Sequence, residues 1–183
     1  MTYVFCDIEG TYNILSDDEK EQLIKIISKL DKTVYFSFIS SADIEYVKDY
    51  YEDFLEYNNK KNIKPLAQIG CYNYINEKKE IVPNPCEVSK GIKMIYFQNS
   101  LELSGVKINK VIYIDDNANL FPLIYTMDNE INKRIREKDL EFIVIEKINK
   151  AENYCKDSMD LNEVKFISNN KTNFIIEGLK ECI

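Results

Sequence analysis

Tyr3-Val4-Phe5-Cys6-Asp7-Ile8-Glu9-Gly10-Thr11 runs from a short apolar segment straight into acids, a glycine and a hydroxyl. An apolar run without alternation suits a strand covered on both faces, as strands of a parallel sheet are. The polar residues at its end then fall where such sheets hold their ligands, beyond the carboxyl ends of the strands.

Outward from this stretch, strands and helices alternate. Ser16-Asp17-Asp18-Glu19 reads as a capping box, opening a helix to about Leu30 with Leu23, Ile26, Ile27 and Leu30 on one face. Val34 to Ile39 is a second strand, and Ser40-Ser41 opens a helix to about Tyr57. Its tyrosines Tyr46, Tyr50 and Tyr57 have the spacing of a packing stripe, and Asp49, Glu52, Asp53 and Glu56 that of a wet face. Pro65 to Ile69 reads as a third strand. Gly70 and a hairpin follow, pairing Tyr72–Ile75 with Ile81–Val82 across a polar turn. Pro83 and Pro85 punctuate a loop, and Ser89 caps a helix to about Leu103. Val111 to Ile114 and Phe142 to Ile145 are further strands. Residues 117–137 are read as helical in two pieces, and Thr172 to Cys182 as a closing helix. Residues 149–183 form a C-terminal extension that either completes the sheet or mediates self-association. The pattern predicts an α/β parallel sheet with helices on both faces, in a single domain spanning residues 1–183.

Composition narrows the chemistry. The chain has 183 residues, 45 % apolar and 30 % charged, with a net charge of −7. That charge argues against a general nucleic-acid binder. The Lys133, Arg134, Arg136 and Lys138 cluster is modest and reads as a wet helix face. The 5 cysteines are scattered without a CxxC pair, which points to neither a zinc site nor a disulfide framework. With no signal peptide before the first strand and no membrane-length apolar run, a cytoplasmic setting and no membrane partner are expected. Histidine is absent, which removes Ser-His-Asp, Cys-His and His-ligated zinc catalysis.

Four segments deliver polar groups to one edge of the expected sheet: Asp7-Ile8-Glu9-Gly10-Thr11, Ser40-Ser41, Lys90 at a helix start, and Asp115-Asp116-Asn117. Taken singly, each has a plainer reading as a turn, a helix cap or a solvated lysine. Taken together they suit phosphoryl transfer. Clustered carboxylates suit Mg²⁺, a carboxylate can attack phosphorus, and Lys and Ser can hold the transferring oxygens.

The set resembles the haloacid dehalogenase-like superfamily, whose phosphatases carry a DxDGT-type motif after a strand. The other motifs of that family are a Ser or Thr after the next strand, a Lys, and an acidic pair after a later strand. The matched stretch covers roughly residues 3 to 125. The segment Leu66-Ala67-Gln68-Ile69-Gly70 with its hairpin, Ser89-Lys90-Gly91 and Asn119 resemble the sugar-phosphate phosphatase branch. Only about Pro83 to Ser89 lies where that branch inserts a large cap.

The resemblance implies a three-layer Rossmann-like domain with a small β-hairpin insertion and no large cap domain. It implies an Mg²⁺-dependent phosphomonoester hydrolase acting through an aspartyl-phosphate. Asp7 would be the nucleophile and Glu9 the acid/base. Ser40 or Ser41, Lys90, Gly10 and Thr11 would bind phosphate. Asp7, the Glu9 carbonyl, Asp115 and Asp116 would hold Mg²⁺, with Asn119 in support. Glu9 departs from the usual Asp, although an enolase-phosphatase branch also has Asp-x-Glu-Gly-Thr, and Asp115 departs from the common Gly. The expected substrate is a small sugar or nucleotide phosphate. A nucleic-acid 3′ or 5′ end is a less favoured substrate, and a non-catalytic binding or regulatory module is the rival reading. Transfer to an acceptor other than water and homo-oligomerisation stay open.

Overall fold

The computed structural model describes residues 1–40, 44–58, 62–65, 74–75, 81–82, 105–118, 130–148 and 163–183. Six strands form one sheet: β1 (Thr2–Cys6), β2 (Val34–Phe38), β3 (Ile63–Pro65), β6 (Lys110–Asp115), β7 (Glu141–Glu146) and β8 (Val164–Ser168). Every pairing among them is parallel, in the order β3-β2-β1-β6-β7-β8. The chain builds outward from β1 to one side and then returns to build from β6 to the other. The reversal therefore lies between β1 and β6, and parallel sheets open a ligand crevice at such a point. β4 (Tyr74–Ile75) and β5 (Ile81–Val82) pair antiparallel with each other, apart from the main sheet; the turn expected between them lies outside the described residues.

Successive side chains of each strand point to opposite faces, which divides the core. Val4, Cys6, Phe36, Phe38, Ile112, Ile114, Ile143 and Ile145 face one cluster. Onto it pack α1 (Asp17–Ile27), α2 (Ile44–Tyr57) and α4 (Phe174–Lys180). Tyr3, Phe5, Tyr35, Val111, Tyr113, Phe142 and Val144 face the other, which Ile135 of α3 (Glu130–Arg136) joins. Each fully buried Leu, Ile or Phe contributes about 1.5–3 kcal/mol of transfer free energy. The apolar strand runs are thus the main source of stability.

Local chemistry sets the element ends. Ser16 Oγ accepts the Glu19 N–H at 3.3 Å and Glu19 Oε2 accepts the Ser16 N–H at 2.9 Å, which completes the capping box. α1 stops at Ile27 rather than Leu30. There the Lys29 N–H turns to Ile26 O and the Leu30 N–H to Ile27 O, tightening the last turn into three-residue bonds. β3 begins at Ile63, not Pro65, because Ile63 to Pro65 pairs in register with Val34 to Phe36. β8 is a strand that the sequence reading lacks, so residues 163–183 do complete the sheet. The expected helix from Ser89 to Leu103 lies outside the described residues, as do Ser41, Lys90 and Asn119. Among the described residues no helix is long and apolar enough to cross a membrane.

Candidate active site

β1 pairs in register with both neighbours to its last residue, Cys6 opposite Phe38 and Ile114. One more bond on each side extends this order. The Asp7 N–H donates to Ile114 O at 2.9 Å, and the Ile39 N–H donates to Cys6 O at 2.8 Å. Asp7, Ser40 and Asp115 therefore leave the sheet at one edge from strands held side by side. All three are buried, Asp7 and Asp115 each only 3 % exposed.

The loop after β1 turns sharply. Gly10 takes φ +69°, its N–H donates to Asn13 Oδ1 at 2.8 Å, and the N–H groups of Thr11 and Asn13 both return to Ile8 O. Thr11 is fully buried, and its Oγ1 accepts the Asp116 N–H at 2.9 Å. The hydroxyl thereby braces the loop after β1 against the loop after β6.

Asp115 is oriented from two sides. The Tyr113 hydroxyl donates to its Oδ2 at 2.6 Å, and the Asn117 N–H donates to its Oδ1 at 3.0 Å. Burial first, then the Asp115 charge, pushes the Tyr113 phenol well above its ordinary value, so it stays a neutral donor. Asp7, Asp115 and Asp116 each offer an oxygen within 4.8 Å of the others. Two unit charges at that spacing repel by about 3 kcal/mol at an effective dielectric of ~20. Short hard carboxylates crowded this way fit a divalent cation of the Mg²⁺ type, which takes oxygen ligands and offsets the repulsion.

The Glu9 carboxylate does not join that set. It accepts from Ser40 Oγ at 3.2 Å instead. Beyond it stands Tyr46 of α2, whose hydroxyl hydrogen-bonds the side chains of Tyr50 and Asn13. Burial, the bond to Tyr50 and the Glu9 charge all push that phenol upward. Tyr46, Tyr50 and Tyr57 pack as partly buried residues against the core.

The chain has no match among protein-family models, curated proteins or solved structures.

Of the residues expected at the site, Asp7, Glu9, Gly10, Thr11, Ser40, Asp115 and Asp116 come to one sheet edge. The sequence reading missed Tyr113, Asn13 and Tyr46, which hold the acids and their loop. It also missed Glu146, fully buried opposite Asp115 in the register and accepting from Ser168 Oγ at 3.4 Å. The available signal was the one that exposed Asp115: an acid ending a long apolar strand.

Proposed function

We propose that the chain is an Mg²⁺-dependent phosphomonoester hydrolase of the haloacid dehalogenase-like type, working through an aspartyl-phosphate. One observation carries this reading: a buried carboxylate, Asp7, at the sheet edge with the Asp115 and Asp116 oxygens within 4.8 Å. A buried carboxylate this close to two others suits a cation, and the same cation would let it approach an anionic phosphate. The strand order, with its reversal between β1 and β6, supports a three-layer Rossmann-like domain. The antiparallel β4–β5 pair supports the small hairpin insertion, and the absence of a large cap belongs to the same reading.

Asp7 would attack phosphorus, forming the Asp7–phosphate bond as the bond to the leaving oxygen breaks. Glu9 would give that oxygen its proton. Glu9, now a carboxylate, would take a proton from the water that attacks the acyl-phosphate, and Asp7 would be released. The cation, held by Asp7, Asp116, Asp115 and the Glu9 carbonyl, would supply charge neutralisation at the phosphoryl oxygens. Of the two serines Ser41, with Lys90 and the Gly10–Thr11 turn, would bind those oxygens, with Asn119 in support, because the Ser40 hydroxyl is turned to Glu9. The negative net charge favours a small phosphorylated metabolite, a sugar or nucleotide phosphate, in a cytoplasmic setting.

The test is phosphate release from sugar phosphates, nucleotides and end-phosphorylated oligonucleotides, with Mg²⁺ or EDTA, for wild type and Asp7→Asn. Release should need Mg²⁺ and fall at least about 10³-fold in the variant. Undiminished hydrolysis by a clean Asp7→Asn preparation removes Asp7 as nucleophile.

A further inference from the structure

Glu9 is an exposed side chain with several rotatable bonds, whereas the Ser40 beneath it is fully buried. A free Glu arm samples many rotamers. A general acid must instead stand within hydrogen-bond reach of the leaving oxygen. Ser40 Oγ donates to Glu9 Oε2 at 3.2 Å across a sequence separation of 31 residues. Its own place is set by the Ile39 N–H to Cys6 O bond, which carries the β1–β2 pairing one residue past β2. The loop that carries Glu9 is fixed as well, through the Gly10 N–H bond to Asn13 Oδ1. Tyr46, bonded to the same Asn13 side chain, flanks it.

We propose that Ser40 is a positioning residue for Glu9, its buried hydroxyl holding the acid/base arm at the mouth of the site. This deepens the phosphatase reading and rests on it. It also gives Glu9 a reason to be Glu. An Asp there would be shorter by about one C–C bond, ~1.5 Å, and from 3.2 Å would leave hydrogen-bond range of Ser40. A hydroxyl has a single proton to donate. While it serves Glu9 it cannot also serve a phosphoryl oxygen.

The leaving group separates these two duties. p-Nitrophenolate departs from phosphate with little help from an acid, whereas an alkoxide needs its proton. We expect Ser40→Ala to lose roughly 10-fold or more in kcat/KM on n-butyl phosphate. On p-nitrophenyl phosphate the loss in kcat/KM, which reports formation of the aspartyl-phosphate and not its Glu9-assisted hydrolysis, should stay under about 3-fold, and the inhibition constant for inorganic phosphate within about 2-fold. Ser40→Thr, which keeps the hydroxyl, should restore the butyl phosphate rate. Glu9→Asp should reproduce the Ser40→Ala pattern. Equal losses on both substrates with a weaker phosphate constant overturn the proposal and make Ser40 a phosphate ligand. Unchanged kinetics in Ser40→Ala overturn it too.

Thermal unfolding of Ser40→Ala, Glu9→Ala and the double variant reads the contact without turnover. Tm losses that fall short of additivity by about 2 °C or more support it, and strictly additive losses overturn it. A wild type without turnover but with this coupling overturns the phosphatase reading and leaves Ser40 as the anchor of Glu9. A wild type with neither overturns both.

Discussion

At Gly10 the backbone sits at φ +69°, and a Cβ built there would stand 2.7 Å from Asp116 Oδ2 and 2.9 Å from its Cγ. The backbone of Asp116 is pinned by its N–H bond to Thr11 Oγ1, so the methyl would turn the carboxylate aside. Gly10→Ala therefore meets two costs: about 1–2 kcal/mol for a left-handed L-residue, and displacement of a carboxylate assigned to the cation. We expect a loss of about 2 kcal/mol, a Tm lower by roughly 4–8 °C, and Mg²⁺ affinity weaker by about 10-fold. Thermal unfolding and calorimetric Mg²⁺ titration measure these. Unchanged Mg²⁺ affinity in a folded Gly10→Ala would remove Asp116 from the ligand set. At this scale the sequence was legible wherever a strand of obvious type ended in an acid, as at Asp7 and Asp115. It was not legible where the partner is distant in the chain. Ser40 reads as a phosphate ligand or a helix cap until the fold sets it against Glu9, and Tyr113 reads as core until its hydroxyl meets Asp115.

Elements were legible in proportion to how fully they are buried. β1 and β6 are continuous apolar runs, and the strands extend only a residue beyond what the runs predict. β8 escaped because its burial is broken: Val164 faces one core cluster and Ile167 the other, with Lys165 and Ser168 exposed, in only five residues. Helix ends escaped where backbone bonds rather than side-chain patterns decide them. α3 closes in this way: the Lys138 N–H returns to Ile135 O and the Asp139 N–H to Arg134 O, with Lys138 at φ 59°. These are the paired bonds of a Schellman motif, whose left-handed residue is ordinarily Gly. Arg134, buried and bonded to both Asp139 Oδ2 and Ile108 O, locks the same corner. Lys138→Gly should relieve the left-handed cost of 1–2 kcal/mol while adding ~0.5–1 kcal/mol of chain entropy to lose. The net expectation is a gain of about 0.5–1 kcal/mol, read as a raised midpoint in urea with the slope unchanged. A loss of stability in Lys138→Gly would contradict this account of the turn.

Across the whole molecule, the C-terminal residues belong to the body that carries the site. β8 pairs with β7, β7 with β6, and β6 ends in Asp115. α4 lies over the same strands, with Phe174, Ile175, Ile176 and Leu179 buried in the cluster that contains α1 and Ile114. At Gly178 the helix lies tight on β7, and an added Cβ would meet Ile145 Cγ2 at 2.5 Å. In an exposed helix, Gly→Ala gains about 1 kcal/mol of propensity. Here the methyl would press on a fully buried, β-branched side chain of β7, a strand paired on both sides. Its Cγ2 cannot swing away without leaving its rotamer, and overpacking of this kind costs typically 1–3 kcal/mol or more. The steric term should win, so Gly178→Ala is expected to lose about 1–2 kcal/mol net, a Tm lower by roughly 2–8 °C. Pairing it with Ile145→Leu, which has no branch at Cβ, should recover part of that loss although each change alone destabilises. Additive losses would show that α4 does not seat on β7 as described. If the helix seats there, its displacement bears on β7, and through β7 on the strand that ends in Asp115. Mg²⁺ affinity should then fall along with stability in Gly178→Ala and return in the pair. A tail that merely decorated the domain would leave the metal unaffected.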